Sequence, residues 1–408
     1  MLLSFWLILG IFRIDLFDKY WYNFIVFVKL KQAFIKQIAN MKIVIAPGAY
    51  KIGGPATYTR LLVEYLPLKN IEAEILSFDQ VKEFPKIIRH FIFFVKMFIK
   101  LLSSDLVLAQ DPVSVGLPSL VAAKILRKKM IIRFVGDYAW EQSAQRFGVK
   151  DSIDVFQNNK YSFKIEFLRW IQVFVLNHVD KIITPSIYFG ELAKKLVNNK
   201  DKVIAIYNGI DTSLPVLGHE EARKKLGLNS EEIILFSAGR LVSWKGFELL
   251  IDLLPDLLKQ NNRYRLMIVG DGPDMSKLRQ KVMDLKLEGK VYLVGYLDRE
   301  DLLVNLQAAD IFVLNTGFES FSFQVVEAMY YNIPVITTNV CSLPEVIANN
   351  KEGILVDYNN KEQIRKAIEK FLVDTSFRQE IIKNAKKKSA YFSIKKTLDN
   401  LFEVLKNL

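Results

Sequence analysis

From Met41 onward, short runs rich in aliphatic and β-branched residues alternate with segments of helical periodicity, and this alternation constrains the fold more than any other feature. The runs fall at 42–46, 74–78, 106–109, 130–135, 181–184 and 203–207, and a second series follows at 233–237, 265–269, 291–294, 311–315 and 334–337. Strands separated by helices are joined by crossovers, which makes the sheets parallel. The two series part at Asn208-Gly209-Ile210-Asp211 and Pro215, and the charged stretch 219–225 completes a linker reading. The fold class expected is therefore α/β, with two Rossmann-like, doubly wound parallel-sheet domains facing a cleft. A chain of 408 residues is too long for one ordinary core, which agrees with domains at 41–215 and 216–390. Residues 1–40 form an apolar extension, and 391–408 read as a C-terminal helix able to pack back on the N-terminal domain.

Composition narrows the chemistry. The single cysteine, Cys341, excludes a disulfide framework, and His90, His178 and His219 have no metal-ligand spacing. A reducing, cytoplasmic setting and chemistry with neither metal nor cofactor follow as defaults. The net charge of +12 suits anionic partners: nucleic acid, phospholipid head groups or phosphorylated substrates. The apolar runs at 1–12 and 21–28 fall short of the roughly 20 residues that cross a bilayer. They read equally as an interfacial anchor or as sequence upstream of a start at Met41.

Ligands of open parallel sheets bind beyond the carboxyl ends of the strands, so the residues just after each strand matter most. After 233–237 come Gly239 and Arg240, then Lys245 and Gly246, with a helix expected from Phe247. Two cations beside the free N–H groups of a helix start make a diphosphate the natural guest, the plain alternative being a solvated basic loop. After 311–315 come Glu319, Ser320, Phe321 and Ser322, and Glu327 stands eight residues beyond Glu319. With a helix starting near Ser320, Glu327 would lie on the order of 12 Å along the axis. That exceeds the roughly 5 to 9.5 Å of a glycosidase carboxylate pair and suits a ligand with a hydroxylated ring at each end. One capping and one surface glutamate is the competing reading.

The cation pair followed by the glutamate pair resembles the donor-site signature of family 4 retaining glycosyltransferases, over most of 41–408. The resemblance implies the GT-B fold and a nucleoside diphosphate sugar as donor substrate. It further implies that Arg240 and Lys245 bind the diphosphate, Glu319 the transferred sugar and Glu327 the ribose. Gly272, in Gly270-Asp271-Gly272-Pro273, and Tyr296, in Gly295-Tyr296-Leu297, resemble family positions, the latter near the nucleotide base. Gly53 and Gly54, after the first strand, correspond to a loop against the donor phosphates. Where many relatives carry histidine after the fourth strand this chain has Asp137, which would orient a hydroxyl or accept a proton, or else form an Asx-type turn. Relatives often have glycine at the positions of Ser320 and Ser322, and Gly-Gly in place of Cys341-Ser342, which leaves the donor sugar unassigned.

A glycan or lipid-linked acceptor is the expected partner, with a peripheral contact at the inner face of the membrane. The stretch 86–100 interleaves Lys86, Arg89, His90, Lys96 and Lys100 with large apolar residues, as an interfacial helix or a packed helix with a basic outer face does. A nicotinamide dehydrogenase is disfavoured because Gly270-x-Gly272 reaches Met275 where a third glycine belongs. A sugar-nucleotide epimerase of the same shape remains an alternative, as does a non-enzymatic membrane-surface or nucleic-acid-binding protein. No RNA-binding or helix-turn-helix signature supports nucleic acid.

Overall fold

The computed structural model describes residues 41–50 and 53–408, so the apolar runs at 1–12 and 21–28 lie outside the described residues. The first sheet comprises β1 (Met41–Ala46), β2 (Ile71–Ile75), β3 (Leu106–Ala109), β4 (Lys129–Arg133), β5 (Lys181–Thr184) and β6 (Val203–Ala205). The second comprises β7 (Ile233–Ala238), β8 (Tyr264–Val269), β9 (Val291–Gly295), β10 (Ile311–Leu314), β11 (Val335–Thr338) and β12 (Ile354–Val356). Every strand pair is parallel, with helices between successive strands, so the α/β class and the doubly wound architecture are as the sequence predicts.

Strand order is β2-β1-β3-β4-β5-β6 in the first sheet and β12-β11-β10-β7-β8-β9 in the second. The central strands are apolar on both faces because helices cover both: β3, β10 and β11 are buried throughout. The differences from the sequence reading are at the edges. β2 lies earlier than 74–78 because its glutamates break the apolar run, and both are held by lysine: Glu72 by Lys42 and Glu74 by Lys42 and Lys100. β12 is an edge strand of three residues, too short to leave a pattern.

The stretch 219–225 is a helix of the C-terminal domain and not a linker. Its Arg223 is buried and donates to the Ala308, Asn229, Ser230 and Glu232 carbonyls and to Asp310, tying the helix to the second sheet. The chain then returns. Ile210 N donates to the Phe392 carbonyl at 2.9 Å and Ile394 N to the Ile210 carbonyl at 3.1 Å, and helix Ile394–Lys406 buries Leu398, Leu401 and Leu405 in a core shared with Leu61 and Leu62 of helix Gly54–Tyr65. Lys69 adds an ion pair to Asp399 at 2.6 Å.

Candidate functional site

The strand order reverses between β1 and β3 in the first sheet and between β7 and β10 in the second, and such reversals open a crevice at the carboxyl ends of the strands. The two crevices face each other across one cavity of about 370 Å³, a size typical of small-molecule sites. At its back, Trp140 of the N-terminal domain meets Phe318 and Trp244 of the C-terminal domain, with ring centroids 4.5 and 5.3 Å apart. This aromatic cluster fixes the two walls against each other.

The C-terminal wall carries Arg240, Lys245, Glu319, Ser320, Phe321 and Tyr296. Arg240 leaves β7 exposed, and among the described residues it has no hydrogen-bond or ion-pair partner. Lys245 is largely buried and paired with Glu319, whose side chain is equally covered. Gly246 then turns the chain into helix Phe247–Gln260 at φ 53°, with no side chain capping the helix. A Cβ here would come within 2.3 Å of Asn315 Nδ2 at the end of β10, so only glycine allows the cation loop to lie against the Glu319 loop. Gly272 lies behind the wall rather than in it: a Cβ there would meet the Leu241 carbonyl oxygen at 2.3 Å. The run Gly270-Asp271-Gly272 thus backs the Arg240 loop.

The helix expected from Ser320 begins later, at Phe323, because Ser322 is its N-cap: the Ser322 hydroxyl accepts from Val325 N at 3.3 Å. Ser322 is buried in that role and does not line the cavity. The later start puts Glu327 in the second turn, buried, where its Oε1 accepts from Arg299 Nη1 at 2.7 Å. Glu327 Oε2 is buried with no hydrogen-bond partner among the described residues, as are Arg299 Nε and Nη2. A buried carboxylate oxygen without a donor is costly, and hydroxyls of a bound ligand would satisfy it. Arg299 lines the cavity where Glu327 does not, and sequence reasoning missed it, since only the fold brings it beside Glu327.

On the N-terminal wall, Gly53 and Gly54 open helix Gly54–Tyr65, which has no side-chain cap, and Gly54 faces Phe323 across the cleft. Uncapped first-turn N–H groups at a cavity attract anions. Asp137 is not on this wall. It caps helix Tyr138–Arg146, its Oδ1 accepting from Trp140 N at 2.9 Å and its Oδ2 from Gln157 at 2.8 Å, so the turn reading holds for its geometry and both oxygens are occupied.

The carboxylates that do line this wall are Asp111 and Glu141, one turn from Asp137. Burial pushes Glu141 up to about 7, helped by Asp137 and Asp111 and opposed by Arg240 across the cleft. Burial likewise pushes Asp111 up to about 6, against the N–H groups of Ser114 and Val113 that favour its charge. Arg133 at the end of β4 is buried, stacked 3.5 Å over the Tyr58 ring and bonded to Asn208, with no hydrogen-bond partner for Nε and Nη1 among the described residues. Glu141 has a signal in sequence, one helical turn beyond Asp137, but Asp137 stands nearer the strand end.

Two Rossmann-like domains whose strand ends face one cleft define the GT-B fold. Residues 52–214 match Glycosyltransferase Family 4 and residues 218–388 match Glycosyl transferases group 1, and with both halves matched the chain belongs to the family 4-like glycosyltransferases. It is 30% identical over 234 residues to an uncharacterized glycosyltransferase of Methanocaldococcus jannaschii, covering 55% of this chain and 60% of that one. It is 26% identical over 206 residues to the alpha-monoglucosyldiacylglycerol synthase of Streptococcus pneumoniae, covering 49% and 46%. The matches span between about a third and two thirds of the length of the curated relatives, from 33% to 65%. The crystal structure of Anabaena HepE in complex with UDP and glucose superposes with a TM-score of 0.74 at 18% identity, covering 90% of this chain and all of that one, which shows the shared fold.

Proposed function

We propose that this protein transfers a hexose-type sugar from a nucleoside diphosphate sugar to an acceptor hydroxyl, with retention of configuration and without a metal ion. The observation that carries the reading is the charge arrangement at the cleft: an Arg240 with no hydrogen-bond or ion-pair partner among the described residues, a Lys245 already engaged by Glu319, and an uncapped helix start at Gly53 and Gly54 on the opposite wall. A diphosphate entering there meets Arg240 at once and draws Lys245 from Glu319. The released Glu319 carboxylate then faces the sugar hydroxyls, and the unpartnered Glu327 oxygen, oriented by Arg299, accepts from the ribose. As the glycosidic bond breaks, negative charge grows on the diphosphate and both cations engage more strongly, which stabilises the transition state over the ground state. The acceptor hydroxyl approaches from the N-terminal wall, and no protein nucleophile takes part.

Support for the donor class comes from the UDP-bound and UDP-glucose-bound forms of HepE, and for a lipid-linked acceptor from the diacylglycerol relative. A site on the cytoplasmic side, in peripheral contact with the inner leaflet, fits both. The test has two stages. A thermal-shift screen of nucleotide sugars identifies the donor, because a saturating ligand raises stability. Steady-state kinetics with that donor then follow: Arg240→Ala lowers kcat by about 10² to 10³, and Arg240→Lys recovers little because an ammonium lacks the two-pronged fork. An unchanged kcat in Arg240→Ala removes the diphosphate from this loop, and with it the proposal.

A further inference from the structure

The helical layer of the N-terminal domain exposes more apolar surface than it needs to cover the sheet. Helix Lys86–Leu102 carries two apolar stripes. Phe93, Met97 and Leu101 are fully buried in the core, as one face of an amphipathic helix should be. The opposite stripe, Phe91, Val95, Ile99 and Leu102, is spaced by four, four and three residues and faces solvent. Helix Phe163–His178 repeats the pattern. Val175 and Leu176 point inward, while Phe163, Phe167, Trp170 and Phe174 form an outward ladder of rings with successive centroids 6.3, 5.9 and 5.6 Å apart and planes within 22°. Phe163 is 83% exposed and Trp170 60%. The short helix Leu117–Ile125 packs against both and adds exposed Val121 and Ile125, so the stripes lie side by side.

Contiguous apolar surface of this extent marks an interaction face. Its charges indicate the partner. Along these three helices the sole acid is Glu166, which is paired with Arg169 at 3.1 Å. The exposed ammonium groups of Lys96 and Lys164 have no acidic partner among the described residues, and Lys124 has only Asp180 nearby, which is already paired with Lys129 at 2.9 Å. A protein partner or a second copy would strip water from these lysines beside the rings, which is costly without carboxylates to meet them. A bilayer interface leaves them hydrated among lipid phosphates while the rings enter the acyl boundary.

We propose that this three-helix face docks the protein on an anionic lipid leaflet. The inference rests on the peripheral contact proposed above and gives it a location. Helix Phe163–His178 packs on helix Tyr138–Arg146, which opens at the cavity with Tyr138 and Glu141, so an acceptor held in the leaflet meets the N-terminal wall first.

The experiment is co-sedimentation of the full chain with phosphatidylcholine vesicles with and without phosphatidylglycerol, in the absence of any nucleotide sugar, so that failure here leaves the donor reading intact. The expected results are binding to the anionic vesicles alone, weakening with added salt, and at least about tenfold weaker binding in F163S/F167S and in Trp170→Ser. Lipids brominated on their acyl chains quench the fluorescence of the parent, and Trp170→Phe loses part of that quenching. Folding of each variant is checked by circular dichroism, and these exposed sites leave the core untouched. The proposal is overturned if both ring variants bind as the parent does, which would assign any membrane affinity to residues 1–40 or elsewhere. It is equally overturned if the parent ignores vesicles, whether or not it self-associates through this face.

Discussion

At the scale of single residues, the cleft sets a free cation against carboxylates that burial keeps partly protonated near neutral pH. Glu141 rises to about 7 and Asp111 to about 6. The folded chain therefore holds protons that the unfolded chain has already released at these pH values, and this contribution to stability is lost as pH rises through each folded pKa. Function runs the other way if Glu141 must be ionised to accept a hydrogen bond from the acceptor hydroxyl. The rate then climbs with pH through about 7, and Glu141→Gln removes that limb of the profile while leaving donor affinity close to that of the parent. The measurement is the pH dependence of kcat in both proteins, and an identical limb in Glu141→Gln assigns the titration to another group. Asp137, whose carboxyl burial also pushes above its ordinary range, has one oxygen on the helix cap and the other on Gln157 and does not line the cavity, so it is not placed to meet the acceptor hydroxyl.

At the scale of elements, the site depends on how closely two loops pass. The turn at Gly246 lets the Lys245 loop lie against the end of β10, and Gly246→Ala drives a methyl into Asn315. Strain of this kind costs about 1 to 3 kcal/mol, and because the displaced segment carries Lys245 the donor affinity falls as well. Urea denaturation with and without donor reads both effects. Parent-like stability together with parent-like affinity would mean that the close approach is dispensable. Cys341 shows the opposite case. It holds a left-handed φ of 49°, a conformation that favours glycine, while carrying a side chain.

For the whole molecule, the last helix makes the fold one body. Ile394–Lys406 follows the C-terminal domain in sequence yet buries Leu398, Leu401 and Leu405 against the N-terminal domain. Leu401→Ala should therefore destabilise the protein by about 2 to 5 kcal/mol, the range for a buried leucine, and should do so in both domains together. Equilibrium unfolding followed by Trp140 and Trp244 fluorescence at the cleft, and separately by circular dichroism, checks this. A loss below about 1 kcal/mol would show that the helix is not part of the shared core.

The alternation of apolar runs and helical periods was enough to specify two parallel sheets, because strands covered on both faces must be apolar throughout and must be joined by crossovers. The same local signals placed Arg240, Lys245 and Glu319 at strand ends, where a doubly wound sheet puts its ligands. What the sequence could not decide were relations between residues far apart in the chain. Arg299 faces Glu327, Gly272 supports Leu241, and Glu141 rather than Asp137 looks into the cleft. Each depends on which side chains the packing of separate elements brings within a few ångströms, and on which polar groups that packing leaves without a partner. Periodicity carries neither kind of information, since it records only which face of an element is buried and not what lies opposite.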